Sequence, residues 1–182
     1  MELALVVMAA VSDDDRERHH AAVTRRTLAL SYVVETIDLV AEGASVAMSR
    51  TERLRYQTDA PIVDPLIESH AALVSRAAVL VFVFPTRWWS LPQVLQAWLE
   101  RTFVPGVAFT LDERNLLRPN LSSLRAIAGI TTRQRPDVIA DGGDAARRVL
   151  LRTMRLNAPR RVRTEWLLDP DEAVIESKVG RL

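Results

Sequence analysis

Residues 79–84 (VLVFVF) constrain the fold more than any other part of this sequence. All six positions are apolar and most are β-branched or aromatic, so neither of the alternating faces of a strand formed here is suited to water. Such a run is typical of a strand buried on both faces inside a parallel sheet. Pro85 is expected to end it, because proline cannot donate a hydrogen bond to a neighbouring strand.

An amphipathic helix is predicted to follow this strand. Ser90 stands at the N-cap position, Gln93 follows three residues later as in a capping box, and Pro92 falls in the first turn, where a missing N–H costs little. Apolar residues then recur at three- and four-residue spacing and form one stripe, namely Leu91, Val94, Leu95, Trp98, Leu99 and Phe103. Pro105 and Gly106 are expected to end the helix.

The loop between strand and helix is the first candidate for a binding site. Its sequence is Pro85-Thr86-Arg87-Trp88-Trp89, and it lies at the carboxyl end of a strand, where open α/β sheets bind ligands. The two indoles offer flat area for stacking on an aromatic ring, and Arg87 is suited to a phosphate or an electron-rich ring edge. The alternative is that the tryptophans pack the loop against a neighbouring subunit.

The other apolar segments alternate between strand-like and helix-like patterns. Further strands are predicted at residues 3–8, 32–39, 124–132 and 162–168, and further helices around residues 21–30 and after Asp64, Asp144 and Asp169. Strands that alternate with helices pair in parallel through right-handed crossovers. The sequence therefore predicts a three-layer α/β fold in which a doubly wound, five-stranded parallel sheet carries helices on both faces, in a single domain spanning residues 1–182.

Some positions receive weaker predictions. Residues 42–58 and 110–123 show no sustained periodicity and are expected to be exposed connections. Val149 is expected on the buried side of its helix, and Trp166 is expected to be a core or interface anchor. His70 lies within a predicted helix and is given no role.

Composition narrows the classes of function. The formal net charge is +1, without the basic excess of a nucleic-acid binder, and there is no cysteine, which excludes disulfides, thiolate catalysis and cysteine-ligated metal. His19 and His20 are neighbours on a predicted helix and point in different directions, so no metal site is predicted. The apolar amino terminus lacks the basic start of a signal peptide and is too short to span a membrane, so a cytoplasmic protein is expected.

Residues 84–109, FPTRWWSLPQVLQAWLERTFVPGVAF, resemble the signature of the flavodoxin-like NAD(P)H dehydrogenase (quinone) family, of the DT-diaphorase and modulator-of-drug-activity type. The match is long and gapless, with a departure at Gln96, where the family usually has lysine. Weaker matches follow at residues 37–39 (Ile-Asp-Leu) and at Thr131-Thr132. The resemblance implies a flavin, FAD or FMN, whose ring is held by Pro85, Thr86, Arg87, Trp88 and Trp89, and a fold of the flavodoxin-like type.

The first flavin loop departs from the family pattern. Residues 12–15 read Ser-Asp-Asp-Asp, where the family commonly has a serine and an asparagine after a His-Pro pair. Three carboxylates would fill the positive end of the helix dipole and repel a phosphate. Either Ser12 or an aspartate is then a simple N-cap, or cationic contacts to a phosphate or pyrophosphate come from the basic residues that follow, Arg16, Arg18, His19 and His20.

A second departure follows Thr131-Thr132, where Arg133 and Gln134 replace two glycines of the family. Glycine permits close approach of the backbone to a ligand and a positive φ, whereas the Cβ atoms of arginine and glutamine make both sterically unfavourable. Arg133 either stabilises the negative charge of a reduced flavin or is a solvent-facing loop charge.

The resemblance implies a flavin-dependent NAD(P)H oxidoreductase that reduces quinones or related acceptors by two-electron, ping-pong hydride transfer. The flavin supplies the chemistry, so no catalytic side chain is predicted. A second subunit completes the pocket in the family, so a homodimer is expected. The alternative is a degenerate flavodoxin-like protein without firm flavin binding that acts as a regulatory or interaction subunit. The sequence leaves open FMN against FAD, NADH against NADPH, and the natural acceptor.

Overall fold

A five-stranded parallel sheet forms the centre of the molecule. The computed structural model describes residues 1–11, 15–86, 90–133 and 144–182. The strands in chain order are β1 (Leu3–Met8), β2 (Val33–Asp38), β3 (Ala77–Thr86), β4 (Phe109–Leu111), β5 (Leu117–Pro119), β6 (Ala126–Arg133) and β7 (Arg163–Leu168). The main sheet has the order β2-β1-β3-β6-β7, whereas β4 and β5 form a separate antiparallel pair. All neighbours in the main sheet are parallel, as predicted.

Helices cover both faces of this sheet. They are α1 (Arg16–Leu28), α2 (Arg50–Arg55), α3 (Pro65–Arg76), α4 (Gln93–Thr102), α5 (Ala145–Asn157) and α6 (Glu172–Val179). Aspartate side chains cap the starts of three of them, because Asp64, Asp144 and Asp171 accept hydrogen bonds from first-turn N–H groups. The caps at Asp64 and Asp144 were predicted from the sequence.

The alternating side chains of β3 divide the core into two layers. Leu80, Phe82 and Phe84 belong to a cluster with residues of α3, α4 and α5, whereas Val79, Val81 and Val83 belong to one with residues of α1 and α6. All ten residues of β3 are buried. The run VLVFVF is continuously apolar because each of its faces packs against helices, and the predicted three-layer, doubly wound fold is confirmed.

The central strand continues two residues beyond its predicted end. Pro85 pairs in register with Thr132 of β6, and Thr86 pairs with Arg133. Pairing of β3 with β1 stops at Val83, so Pro85 has a strand neighbour on one side only. Proline is tolerated at such a position because no partner strand requires its N–H.

Helix α4 begins later than predicted. Its N-cap is Pro92 and no side chain caps it, so the prediction that Ser90 is the N-cap is wrong. The fixed φ of proline, −55° here, provides the extended entry into the helix without a capping side chain. The predicted apolar stripe is confirmed, since all of its members are buried, namely Leu91, Val94, Leu95, Trp98, Leu99 and Phe103.

Both segments predicted to be irregular contain secondary structure. Residues 42–58 include α2, which starts with a capping box in which Ser49 and Glu52 exchange side-chain and backbone hydrogen bonds. The pattern Ser-x-x-Glu was present in the sequence and would have indicated this helix. Residues 110–123 include most of the β4–β5 hairpin, whose three-residue strands are too short to show periodicity.

Two predictions near the end of the chain are also corrected. The last helix begins at Glu172 with Asp171 as its N-cap, not at Asp169. Val149 is 51% exposed, so it does not lie on the buried side of α5.

Trp166 is partly buried and packs against the core opposite a glycine. A Cβ atom at Gly129 of β6 would lie 2.3 Å from the Trp166 ring, so only glycine leaves room for the indole. The ring meets Phe84 edge-on, with centroids 6.0 Å apart, and its Nε1 donates to the Asp144 carboxylate at 2.7 Å. Trp166 therefore ties β7 to the N-cap of α5.

Candidate functional site

The strand order reverses between β1 and β3. Crossovers on the two sides of such a switch point run in opposite directions, and they leave a crevice at the carboxyl ends of the strands where ligands bind. The end of β3, the end of β6 and the first turn of α1 meet in this region. The loops that follow β1, β3 and β6 include residues 12–14, 87–89 and 134–143, which lie outside the described residues.

Part of the predicted ring-binding loop can be placed. Pro85 and Thr86 are buried at the end of β3. The hydroxyl of Thr86 donates to the backbone oxygen of Thr132 at 3.1 Å, which fixes the end of β3 to the end of β6. Arg87, Trp88, Trp89 and Gln134 lie outside the described residues, so their roles stay predictions.

The first turn of α1 places a carboxylate against the end of β6. Glu17 is 1% exposed and accepts a hydrogen bond from the Thr132 hydroxyl. A carboxylate in the first turn is stabilised by the positive end of the helix dipole. The sequence reasoning assigned Glu17 no role, although it directly follows Arg16 in the loop that was singled out. Its burial is a tertiary property that the pattern of α1 does not reveal.

An ion-paired cluster joins three elements beside Glu17. Arg133 donates its backbone N–H and its Nε to the two oxygens of Asp169, at 2.8 and 2.6 Å. Arg16 lies 3.9 Å from the same carboxylate and donates to the Arg133 backbone oxygen at 3.5 Å. The backbone N–H of Asp169 donates to the Thr131 oxygen at 2.8 Å. These contacts hold Asp169 at φ +46°, and they give Arg133 a carboxylate partner.

The other predicted basic residues make contacts elsewhere. Arg18 donates to Asp15 within its own turn at 3.1 Å, and His19 is 59% exposed and lies 3.6 Å from Glu172 at the start of α6. Asp15 is the N-cap of α1, but its side chain makes no capping hydrogen bond. Of the four basic residues proposed for a phosphate, the structure therefore brings Arg16 to the ends of β6 and β7.

His20 makes the stability of this region depend on pH. It is 7% exposed, and burial, followed by the charge of His19, lowers the pKa of His20 below its ordinary value of 6.5. The unfolded chain then takes up a proton before the folded chain does, so stability should fall as pH decreases below about 6.5.

Replacement of His20 by glutamine is expected to flatten this dependence. The melting temperature of the native protein should decrease between about pH 7 and pH 5 more steeply than that of the variant. His19→Gln is the matched control and should keep most of the slope, since burial is the larger cause of the shift in the pKa of His20. Equal slopes for the native protein and His20→Gln would contradict this prediction.

A buried hydrogen-bond chain anchors α4, the helix that follows the predicted ring-binding loop. The Trp98 indole donates to Nδ1 of His70 at 3.1 Å, and Nε2 of His70 lies 2.9 Å from the Glu42 carboxylate. Since Nδ1 accepts, the proton resides on Nε2 and is donated to Glu42. His70 is 3% exposed, and it links α3, α4 and the turn after β2. The sequence did not indicate this structural role.

A buried ion-pair network makes a second anchor for α4. The Arg101 side chain is 4% exposed and donates to Glu52 of α2 and to Asp64, the N-cap of α3, at 2.6 Å each. Burial alone would raise the pKa of Glu52, but hydrogen bonds from Ser49 and Arg101 outweigh it and hold that pKa below its ordinary value. Burial would also raise the pKa of Asp64. Hydrogen bonds from Arg101 and from the Leu66 N–H outweigh burial and hold that pKa below its ordinary value.

The described residues suit the two ends of a flavin unequally. At the end of β6, the buried hydroxyl of Thr131 has no hydrogen-bond partner among the described residues, and a polar ligand atom would satisfy it. At the start of α1, the buried Glu17 carboxylate opposes a phosphate. The strand ends therefore fit a polar ring system, and the helix start, with the Glu17 carboxyl buried against it, does not fit a phosphate group.

The described part of the chain shows neither a metal-binding cluster nor a membrane-spanning helix. The described residues hold no cluster of three or more histidine, cysteine, aspartate or glutamate side chains arranged for a metal ion. None of the helices in the described ranges is both long and apolar enough to cross a bilayer.

Comparison with known proteins places this geometry among flavodoxin-like proteins. The family described as having a flavodoxin-like fold matches residues 3–155. A relative by sequence is NAD(P)H dehydrogenase (quinone) 1 of Cavia porcellus, 28% identical over 92 residues, which are 47% of this chain. The match spans only 33% of that relative's length.

Two solved structures are similar over almost their whole length. NAD(P)H:quinone oxidoreductase from Methanothermobacter marburgensis has a TM-score of 0.70 at 19% identity. The match covers 98% of this chain and 92% of the oxidoreductase chain. An FMN-dependent NADH-azoreductase from Bacillus anthracis, solved in complex with FMN, has a TM-score of 0.67 at 12% identity. The match covers 100% of this chain and 95% of the azoreductase chain. At these identities the likeness establishes the fold.

Proposed function

Because this chain belongs to the flavodoxin-like fold family, we propose that it is a flavin-dependent NAD(P)H oxidoreductase that reduces quinones or related acceptors. The observation that carries the proposal is the position of the family-like segment at residues 84–109, which begins at the carboxyl end of β3 beside the switch point of the sheet. The names of the similar proteins describe quinone reduction and FMN-dependent azo reduction, which belong to the same reaction class. The proposal includes a single domain and a cytoplasmic location.

The flavin, FMN or FAD, supplies the hydride-transfer chemistry when bound. The proposed ring contacts are Pro85, Thr86, Arg87, Trp88 and Trp89 on one side, and Thr131, Thr132 and Arg133 on the other. Arg16, Arg18 and His19 are the proposed basic residues near the phosphate end, of which Arg16 lies in the cluster at the strand ends.

The chain's own residues bind and orient rather than transfer protons in this proposal. The hydrogen bond from Thr86 to the Thr132 oxygen keeps the two strand ends at a fixed separation, so the loops that leave them start from a rigid base. The tryptophans would wall a space that admits NAD(P)H and then the acceptor in turn, which is the ping-pong order. Both reactants would use the same space beside the flavin in succession, so the proposal requires no catalytic side chain.

A homodimer is part of the proposal. In the family that this chain resembles, a second subunit completes the pocket. The β4–β5 hairpin offers apolar surface for such a contact, since Leu111, Leu116 and Leu117 are 53%, 54% and 39% exposed. Light scattering of the purified protein should therefore give twice the mass of the 20.4 kDa chain.

The alternative proposal is a degenerate member that keeps the fold without firm flavin binding and serves as a regulatory or interaction subunit. Glu17 at the start of α1 favours it, because this buried carboxylate opposes the phosphate of a nucleotide. A visible absorbance spectrum separates the two proposals. The protein is incubated with FMN or FAD, separated from excess, reduced with NADPH or NADH, and mixed with a quinone. Retained flavin that bleaches and then recovers supports the enzyme, and a folded protein without retained flavin supports the alternative.

Substitution of Trp88 tests where the ring binds. Trp88→Ala is expected to weaken flavin binding at least about tenfold, through loss of stacking and burial of the ring, so that flavin is lost on desalting. Trp166→Phe is the control, because that tryptophan packs in the core against Phe84. Unchanged retention in Trp88→Ala would place the flavin elsewhere.

A further inference from the structure

We propose that Glu17 is this chain's own anion at the amino terminus of α1, and that it makes the site discriminate against the phosphate end of a flavin. The inference rests on the proposed function, since it concerns how that site holds its cofactor. A flavin is then held chiefly through its ring system, and riboflavin, which has no phosphate, binds at least as well as FMN.

Glu17 lies in the first turn of α1, the end of a helix where an anion is favoured. Free backbone N–H groups and the positive end of the dipole make the first turn of a helix a site for anions, and α1 starts beside the switch point of the sheet. Glu17 is the second residue of α1, and its carboxylate accepts the hydroxyl hydrogen of Thr132 at the end of β6. Its 1% exposure means that the carboxylate is already enclosed by protein.

Compensation of the helix dipole does not explain this burial. Glu68 and Glu172 lie in the first turns of α3 and α6, where they serve the same dipole, and both are exposed. Glu52 in the first turn of α2 is buried, but its carboxylate is paired there with Arg101. A first-turn glutamate that remains in water keeps its hydration, whereas Glu17 gives up hydration and relies on protein donors. The difference is that Glu17 faces the ends of the strands where ligands of this fold bind.

Among the described residues, the formal charges of Glu17 and the ion-paired cluster beside it sum to zero. Arg16 and Arg133 contribute two positive charges, and both contact Asp169. Asp169 and Glu17 contribute two negative charges, and the lowered pKa of buried His20 favours its neutral form. A phosphate dianion at the start of α1 would face the Glu17 carboxylate in a partly buried setting, where like charges repel each other more strongly than in water.

Binding of FMN and riboflavin to the native protein and to Glu17→Gln tests the proposal. Glutamine has the same shape and can still accept from Thr132, but it carries no charge. In the native protein the dissociation constant for FMN should be equal to or above that for riboflavin. In Glu17→Gln the dissociation constant for FMN should fall about tenfold or more while that for riboflavin changes little.

Glu68→Gln is the matched control and should leave the ratio of the two dissociation constants unchanged. A native protein that binds FMN about tenfold more tightly than riboflavin would overturn the proposal, and so would an unchanged ratio in Glu17→Gln.

An absence of flavin binding would count against the proposed function but would not test the role of Glu17. A second measurement tests that role without any flavin. Inorganic phosphate, compared with chloride at equal ionic strength, should raise the melting temperature of Glu17→Gln by roughly 2 °C or more and leave that of the native protein unchanged. Equal responses of the two proteins to phosphate would contradict the role of Glu17.

Discussion

Replacement of Arg101 by methionine is expected to lower the free energy of unfolding by about 3–5 kcal/mol, among the largest effects of any single substitution in this chain. The guanidinium is enclosed by protein, and one partner, Glu52, has a side chain that is only 6% exposed. Methionine preserves much of the side-chain volume, so the loss comes from a carboxylate left buried and unpaired. The cost should appear in urea denaturation as a lower midpoint with an unchanged slope.

The pH dependence gives this prediction a distinctive sign. In the native protein the pKa of Glu52 lies below its ordinary value, 4.5, so the pair stabilises the fold above about pH 4.5 and that contribution is lost as pH falls through the lower, folded pKa. In Arg101→Met the buried carboxylate favours its protonated form, so the deficit of the variant should shrink in acid.

A double variant serves as the control. Glu52→Gln placed in the Arg101→Met background removes the unpaired charge and should recover part of the lost stability. Arg118 is the matched exposed arginine, because its side chain is 61% exposed and its Nη2 lies 2.7 Å from Oδ2 of Asp112. Arg118→Met should leave the denaturation midpoint close to that of the native protein. An equally large loss from Arg118→Met would show that burial is not the cause.

Truncation of Trp98 to alanine is expected to cost a similar 3–5 kcal/mol. The residue is fully buried, and its ring meets those of Phe82 and Phe103 with centroids 6.4 and 6.0 Å apart. Alanine would leave a cavity between α4 and β3, and it would also leave Nδ1 of His70 without its donor.

Trp98→Phe separates these two contributions. Phenylalanine fills most of the volume but has no N–H, so His70 loses its partner, and the expected cost is about 1–3 kcal/mol. Chemical denaturation of both variants should therefore give two distinct midpoints below that of the native protein. A Trp98→Phe variant as stable as the native protein would mean that the hydrogen bond to His70 contributes nothing.

Both anchors bear on the proposed site, because α4 follows directly after the loop that carries Trp88 and Trp89. Arg101 attaches the last turn of this helix to α2 and to the start of α3, and Trp98 attaches its middle to α3 and β3. A helix that is held at two points gives the proposed site beside it a rigid base. Flavin binding, where it occurs, should weaken in Arg101→Met and in Trp98→Phe at temperatures well below their melting points.

The strands of the main sheet, and the helices other than α2, followed from local pattern. Strand β1 has the predicted bounds, Leu3–Met8, and every other strand of the main sheet lies within two residues of its prediction at either end. For β1, β3 and β6 the reason is that burial on both faces demands a nearly unbroken run of residues that tolerate burial. The errors at Ser90 and Asp169 concern helix starts, where several neighbouring residues are able to cap and the tertiary entry of the chain selects one.

The sequence by itself determined the parallel α/β architecture, the apolar stripe of α4 and the resemblance at residues 84–109, because each is written in neighbouring residues. Only the tertiary structure decided the partners of polar side chains far apart in the chain. Glu17 meets Thr132, Arg133 meets Asp169, and His70 meets Trp98 across separations of 115, 36 and 28 residues. A buried polar group must find a partner wherever the fold brings one, and no local pattern encodes that pairing.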